Sequence, residues 1–438
     1  MENNKILDKL GITPNEMQKA TFDAILHTDK DVVVLSPTGT GKSFAYLIPL
    51  CQRINAKSDN VQAVVVLPSR ELALQSATVV KDLGSGLRAM ALYGGRATMD
   101  EHRLLREVKP QIVFTTPGRF NDHLDKDNLD VREVVWMVID EFDKCLEMGF
   151  QKEMSSLIFK LPNIKRRILL SATYSEEIPS FVSMGRLMKI DYSDKDEVVS
   201  DRIKTFIVNS PDKDKLETLS DLLCTFRDQS SIVFLNYRDS VERTASFLRE
   251  KGFTLSLFHG GLDQAEREAA LYKFSNGSAN ILVSTDLAAR GLDIPDVNNI
   301  VHYHLPEGED SFVHRVGRTA RWDKEGATFF ILGPEEKLPD YIKEEYEEVV
   351  LPDELPAPSE PKMATLYIGK GKKDKIAKTD IVGFLCKIGG LQSSEIGKID
   401  VKDRYSYVAI KKRKISSVIT NTKDKKIKGI RTILEEIR

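Results

Sequence analysis

Short, unbroken apolar runs punctuate the first part of the chain, at residues 32–35, 64–67, 112–114, 136–139 and 168–170. Each closes on small or polar residues and is followed by a stretch of helical character. Alternating apolar and polar positions would describe a strand with one wet face, whereas a continuous run describes a strand buried on both faces of a parallel sheet. A second series, at 232–235, 255–258, 281–283, 300–303 and 328–331, follows the charged segment 192–197. The pattern predicts two tandem α/β domains, over 1–195 and 204–350. Between Pro334 and Pro361 lie six prolines and the acidic stretch Glu344, Glu345, Tyr346, Glu347, Glu348. Such a composition predicts an extended, poorly packed connection, with the linker proper at 351–361. Beyond it, 366–368, the apolar-periodic 381–388 and 405–410 predict a small α+β module over 362–438.

Composition alters this picture at one point. With 438 residues, 41% apolar and 30% charged, the chain can bury two to four cores, and its net charge is only −2. The charge is unevenly spread. Residues 362–438 hold 20 Lys and Arg against 8 Asp and Glu, a balance of +12, and residues 1–361 carry −14. A basic tail of this kind is the footprint of a nucleic-acid surface, although a solvated lysine-rich face would look similar. Tyr367, Tyr405 and Tyr407 can share one face of adjacent strands by period-two alternation, as in an RRM-like layout; ordinary strand packing gives the same spacing. The four cysteines, Cys51, Cys145, Cys224 and Cys386, are scattered, so reduced buried thiols are expected and neither zinc nor disulfides. His302 and His304 have no acidic or cysteine partner at ligand spacing and are expected to be structural. No run approaches the ~20 apolar residues that span a bilayer, and no leader-like segment is evident, so a cytoplasmic location is expected.

Candidate chemistry begins where the first run ends. Ser36, Pro37, Thr38, Gly39, Thr40, Gly41, Lys42 and Ser43 follow a strand and precede a helix, the context a phosphate-binding loop requires. Backbone N–H groups can surround the β- and γ-phosphates of a nucleotide, Lys42 adds a point charge, and the Ser43 hydroxyl can ligate Mg²⁺. Ser36 stands where the first glycine is usual. Farther on, the run at 136–139 opens into Asp140, Glu141, Phe142 and Asp143. Adjacent carboxylates at a strand end suit metal holding by Asp140 and water orientation by Glu141. An acidic turn alone would be unremarkable.

These elements resemble the DEAD-box RNA helicases of superfamily 2, because further motifs follow in that family's order. Pro68, Ser69, Arg70, Glu71, Leu72 and Ala73, then Gly94 and Gly95, then Thr116, Pro117, Gly118 and Arg119 look like its RNA-contacting loops. Ser171, Ala172 and Thr173 look like its coupling motif. Phe234, Leu235 and Asn236, Gln264 with Arg267, Thr285 and Asp286 through Arg290, Gly291, Leu292 and Asp293, and the stretch from His314 through Arg315, Arg318 and Ala320 to Arg321 complete the set. The resemblance implies two tandem RecA-like parallel-sheet domains and RNA-dependent ATP hydrolysis with Mg²⁺. It makes Lys42, Glu141, Arg318 and Arg321 catalytic, the last two as arginine fingers. Gln18 would read the adenine and Asp293 the ribose. RNA would be held by Arg70, Gly95, Thr116, Arg119, Gln264, Arg267, Thr285 and Arg290. Phe142 replaces the family's alanine and Ala320 its glycine, without loss of a charge or a metal ligand. The segment from Gly11 to Gln18 is a residue shorter than usual and the upstream adenine-stacking aromatic has no counterpart, which predicts weaker nucleotide affinity or base selectivity.

From about Thr365, the stretch Leu366, Tyr367, Ile368, Gly369, Lys370, Gly371, Lys372, Lys373 is similar to the RNA-binding domain of DbpA-type helicases. That resemblance implies an RRM-like domain in which Tyr367, Lys372 and Lys373 contact RNA, with a hairpin of large-subunit ribosomal RNA as target. The whole then reads as a monomeric helicase that locally unwinds structured RNA in ribosome assembly. An ATP-gated RNA clamp that separates no strands would carry nearly the same sequence; a DNA helicase is disfavoured by Gln18 together with the motif set.

Overall fold

Strands that run through a protein interior must have both faces covered by helices, and the first sheet shows how this sequence does it. β1 (Asp31–Leu35), β2 (Ala63–Val66), β3 (Ala89–Leu92), β4 (Ile112–Thr115), β5 (Trp136–Ile139), β6 (Arg166–Ser171) and β7 (Leu187–Asp191) pair in the order β3-β4-β2-β5-β6-β1-β7, every pairing parallel. The computed structural model describes residues 7, 11, 13–37, 40–95, 98–172, 178–193, 203–289, 297–319, 326–342 and 345–437. It divides the chain into two compact units, residues 1–198 with 291–293, and residues 199–290 with 294–438.

Among the described residues, the helices of the first unit include α1 (Glu16–His27), α2 (Lys42–Arg53), α3 (Arg70–Asp82), α4 (Thr98–Val108), α5 (Pro117–Asp125), α6 (Phe142–Glu147) and α7 (Gln151–Phe159). Because successive side chains point to opposite faces, Val32 and Val34 enter one core with Ile25, Leu47 and Leu72, while Val33 and Leu35 enter the other with Phe120, Cys145 and Leu157. Two strands escaped the apolar pattern. β3 contains two alanines, weak strand formers, and β7 is an edge strand whose exposed positions break the run. Asp31 secures that edge by accepting from the backbone N–H groups of Arg167 (2.7 Å) and Gly185 (2.6 Å).

The second unit repeats the plan. β8 (Ile203–Asn209), β9 (Ser231–Phe234), β10 (Leu255–Phe258), β11 (Ile281–Ser284), β12 (Asn299–His302), β13 (Gly326–Leu332) and β14 (Tyr346–Glu348) form an all-parallel sheet in the order β10-β11-β9-β12-β13-β8-β14. Its helices include α8 (Leu216–Thr225), α9 (Arg238–Glu250), α10 (Gln264–Ser275) and α11 (Glu309–Val316). The acidic stretch read as an unpacked connection is corrected here. Tyr346 to Glu348 form an edge strand on β8, and Val349, Leu351 and Leu355 pack on the domain's core. Ladder hydrogen bonds do not depend on side-chain polarity, and an edge strand tolerates charge, which also discourages edge-to-edge pairing.

The same unit contains the C-terminal module: β15 (Met363–Ile368), α12 (Lys378–Lys387), β16 (Ile396–Val401), β17 (Ser406–Lys411), α13 (Ile415–Thr422), the hairpin β18 (Lys426–Ile427) and β19 (Ile430–Arg431), and β20 (Leu434–Ile437). Its antiparallel sheet runs β16-β17-β15-β20, a β-α-β-β-α-β arrangement. Leu366, Ile368, Val408 and Ile410 face the helices through Ile381, Leu385, Ile415 and Val418. The loop after β15 rests on the turn between β16 and β17, where the N–H groups of Lys372 and Lys373 donate to the carbonyls of Lys402 and Asp403, each at 2.8 Å.

Two glycines of this module test the packing in opposite directions. A Cβ at Gly371 would stand 2.3 Å from the Lys402 carbonyl oxygen, whereas one at Gly383, inside α12, meets nothing within 4 Å. Gly371→Ala is expected to destabilise the module by about 1–3 kcal/mol, and Gly383→Ala to stabilise it by about 0.5–1 kcal/mol. Hydrogen exchange of the β15 and β17 amides in the full chain checks both; equal effects would refute the packing described.

Candidate functional site

β1 delivers the chain into α2 through a loop that leaves the helix start open. Gly41 caps α2 in the left-handed region (φ +84) with no side-chain cap, so the first-turn N–H groups face outward at the positive end of the helix dipole. Lys42, the first residue of α2, is buried, and its Nζ donates to the carbonyls of Ser36 and, at 2.8 Å, Pro37. Ser36 Oγ donates to Thr40 Oγ1, and Thr40 Oγ1 to the Pro37 carbonyl, both at 2.9 Å. The serine in place of glycine therefore tightens the loop. Ser43 lies one residue on, in the first turn of α2; Thr38 and Gly39 lie outside the described residues.

α1 is fastened to this loop by its own N-terminal cap. Asn15 and Gln18 form a reciprocal capping box, with Gln18 Oε1 accepting from the Asn15 N–H at 3.0 Å. Gln18 Nε2 then donates to the Gly41 carbonyl at 3.2 Å, and Asn15 Nδ2 to the Thr40 carbonyl at 3.0 Å. A Cβ on Gly41 would come within 2.4 Å of Gln18 Nε2. The amide keeps one N–H and one lone pair for a base.

At the end of β5, Glu141 adopts φ +51 and ψ +52, a left-handed conformation that costs a non-glycine residue about 1 kcal/mol. This kink opens α6 and separates two adjacent carboxylates. Asp140 is buried and accepts from the Glu141 N–H at 3.0 Å. Burial pushes its carboxyl up to about 6, and the neighbouring Lys42 ammonium pulls the other way. A desolvated carboxylate and a hydroxyl are hard oxygen donors that fit Mg²⁺, an ion that keeps phosphate and water among its ligands. No cluster of three His, Cys, Asp or Glu suited to a metal occurs among the described residues. Phe142 sits in the core beside Cys145.

The loops expected to contact RNA leave the same carboxyl edge of the sheet, from β2, β3 and β4. Arg70 opens α3 behind its cap Ser69, and its guanidinium lies against Gly94 and Gly95; a Cβ at Gly95 (φ +96) would meet Arg70 Nη1 at 2.7 Å. Thr116 precedes α5. Arg119 is held by Glu101 (2.8 Å) and Asp122 (3.2 Å), and the fully buried Glu101 also binds His123 Nε2 at 2.9 Å.

In the second unit one buried guanidinium ties three motifs together. Arg315 donates to the Asp286 carboxylate, to Asn236 Oδ1 (2.7 Å) and to the His304 carbonyl (2.8 Å). The sequence quotes Arg315 as a motif letter and gives it no role; a cation between apolar neighbours on α11 is the available signal. Gln264 opens α10, Arg267 donates to the Gly260 carbonyl (2.9 Å), and the Thr285 N–H to the Phe258 carbonyl. Arg318 follows α11, and its carbonyl accepts from Val297. Arg290, Asp293 and Arg321, like Thr173 and Ala320, lie outside the described residues. His302 is buried, 3.0 Å from Thr328 Oγ1 and stacked on Phe330, and burial holds it neutral.

The module's tyrosines share one cluster, with ring centroids 5.0–6.1 Å apart. Its open sheet face is nonetheless covered by α10. Tyr407 packs on Tyr272 of α10 (5.1 Å), Tyr405 Oη donates to Glu268 (2.9 Å), and Tyr367 is half-buried at the edge of the cluster. Lys372 and Lys373 are exposed. Cys51, Cys145 and Cys224 are buried and all four thiols are free.

Comparison with known proteins follows this division. Residues 15–181 match the DEAD/DEAH box helicase model, 214–323 the helicase conserved C-terminal domain, and 365–436 the DbpA RNA binding domain. The chain is 31% identical to the ATP-dependent RNA helicase DbpA of Bacillus subtilis over 97% of this chain and 95% of that one. It is 34% identical to the Escherichia coli protein of the same name, over 97% and 94%. Among solved structures, Mss116p bound to ssRNA and AMP-PNP is similar, with a TM-score of 0.69 and 29% identity over 76% of this chain and 72% of that one.

The buried Asp140 carries a stability consequence. Its folded-state pKa lies above the unfolded value, so folding favours the protonated form, and this group's contribution falls as pH rises from about 4 to about 6. Asp140→Asn is expected to raise the stability of the nucleotide-free protein at pH 7 by about 2–3 kcal/mol and to remove that slope. Urea unfolding at pH 5 and pH 7 measures both; a variant less stable than the parent at pH 7 refutes it.

Proposed function

Since this chain belongs to the DEAD-box ATP-dependent RNA helicases that carry a DbpA RNA-binding domain, we propose that it remodels ribosomal RNA locally during large-subunit assembly, as a cytoplasmic monomer. The observation that carries this reading is the shared sheet edge. Lys42 and Asp140, which suit nucleotide, and Arg70, Gly95, Thr116 and Arg119, which suit RNA, stand on loops leaving one edge of one rigid sheet. A change at either set of loops is then felt by the other.

The open N-terminus of α2 and Lys42 bind the phosphates of ATP. Ser43 and Asp140 would hold Mg²⁺, which neutralises charge on the transferred phosphoryl group when bound. Glu141, turned out of the strand by its left-handed backbone, orients the attacking water, and Arg318 and Arg321 take the arginine-finger role. Gln18 senses the base, and Asp293 the ribose. Gln264, Arg267, Thr285 and Arg290 extend the RNA contacts into the second domain. Such loops engage phosphate and 2′-hydroxyl groups, which position RNA without reading its sequence. Closure on a bent single strand would disfavour an A-form duplex and separate a few base pairs.

The module supplies the tether. Its tyrosine face is occupied, so phosphates fall to the basic loops. Lys428 Nζ reaches the Lys375 carbonyl (2.8 Å) and Asp380 (3.1 Å), which brings the β18–β19 hairpin, with Lys425 and Lys426, beside the loop of Lys372 and Lys373. The match to the DbpA RNA binding domain over 365–436 supports a structured RNA as occupant.

Two measurements test this. Glu141→Gln is expected to cut RNA-stimulated ATP turnover about 100-fold or more while ATP binding persists; undiminished hydrolysis rejects the water-orienting role. Lys372→Ala combined with Lys373→Ala is expected to weaken binding of a large-subunit rRNA hairpin and to lower the slope of log affinity against log salt by about 1.4–1.8. An unchanged slope places the phosphates elsewhere, and equal affinity for an unrelated hairpin removes the ribosomal target.

A further inference from the structure

α10 is used along one stripe. Gln264, Glu268 and Tyr272 recur every four residues and therefore face the same way. Gln264 Nε2 donates to Glu268 Oε1 at 3.3 Å, and the other oxygen of the same carboxylate accepts from Tyr405 Oη of the C-terminal module at 2.9 Å. Lys402 Nζ stands 4.0 Å from that second oxygen. Farther along, Tyr272 Oη donates to the Lys398 carbonyl (2.5 Å), and Asn276 Nδ2 to Thr365 Oγ1 (3.0 Å), which in turn donates to Ser278 Oγ (2.9 Å). The module's open sheet face is thus docked on the helix whose first residue is read as an RNA contact.

A carboxylate can only accept, so its pairing with Gln264 selects the amide orientation that turns the NH₂ toward Glu268. The amide oxygen is closed off from solvent and meets no donor among the described residues. A buried acceptor without a donor costs about 1–3 kcal/mol, so this amide orientation must be held in place, and its second N–H is the group left to donate to an RNA phosphate. Burial pushes the Tyr405 hydroxyl well above its ordinary range and Tyr407 up to about 12, so both stay protonated at neutral pH, and Tyr405 donates to Glu268.

We propose that Glu268 is a positioning residue: held by Tyr405 of the docked module, it fixes the Gln264 amide for RNA, so that seating of the C-terminal module sets the affinity of the helicase core for the strand. The proposal rests on the reading of Gln264 as an RNA contact. It gives the module a second role, independent of whatever RNA its basic loops hold.

The experiment measures ATP turnover of the full chain against the concentration of a poly(U) strand. Tyr405→Phe keeps the ring on Tyr407 and removes the hydroxyl; Glu268→Leu keeps much of the volume and offers no acceptor to either partner. Each is expected to raise the half-saturating poly(U) concentration about five-fold, with turnover at saturation within a factor of about two, since the chemistry lies on other loops. Tyr405→Phe added to Gln264→Ala is expected to have no further effect. An unchanged half-saturating concentration in Tyr405→Phe, or the same rise in the Gln264→Ala background, overturns the proposal while leaving the RNA role of Gln264 intact. If Gln264→Ala alone changes nothing, that RNA role fails, and the proposal with it.

Discussion

A parallel strand buried on both faces can do no chemistry along its length, and this constraint organises both α/β units. Helices seal the two faces of each sheet, so the polar groups that act on ligands are displaced to the loops at one end, where ligands of open α/β sheets bind. The sheets are built alike: counted from its own first strand, each runs 3-4-2-5-6-1-7. In the first, the interior strands β1, β2 and β5 send out the phosphate loop, the Arg70 loop and the carboxylate pair. The second sends out Asn236 after β9 and Thr285 with Asp286 after β11. Rigidity comes from the apolar interior and chemistry from its rim.

What the sequence disclosed follows from that division. Fully buried strands announced themselves as apolar runs, and the phosphate loop and the Asp140–Glu141 pair were legible because their members are adjacent in the chain. Edge strands, β10 apart, were not. β7 and β14 lie largely in solvent, and β14 is built from Tyr346, Glu347 and Glu348, a composition that says loop until β8 supplies its hydrogen bonds. Relations between distant residues were equally silent. Gln18 meets Gly41, and Arg315 gathers Asn236, Asp286 and His304, across separations that no local pattern encodes. The alternation that put Tyr367 and Tyr407 on one face was visible; that α10 already covers this face was not.

The site's groups are held in states that folding alone would not choose. Glu141 sits in a left-handed backbone, Asp140 is a desolvated carboxyl with its pKa raised, and Lys42 is buried over two carbonyls. The surrounding apolar cores compensate for each. By contrast, Arg315 is fully buried yet well satisfied, because a planar guanidinium reaches three acceptors in fixed directions. Removing one partner from such a network costs more than the network adds to stability. Its value lies in keeping three loops in one register, so that none can shift alone.

Docking of the C-terminal module changes what kind of tether it can be. On a flexible linker, a second binding element raises local RNA concentration over a broad volume, and the spacing of its target is free. Here the segment before the module packs through Leu351 and Leu355, and the sheet face is fastened through Tyr405, Tyr407 and Thr365. The basic loops therefore stand at a fixed displacement from Gln264 and the other second-domain loops proposed to hold RNA. On the proposed RNA contacts, effective concentration would be high for RNAs that present a structured element and a strand at that displacement, and low for all others. Selectivity follows from geometry as much as from contacts, since an RNA with the right hairpin and the wrong spacing can satisfy only one of the two surfaces.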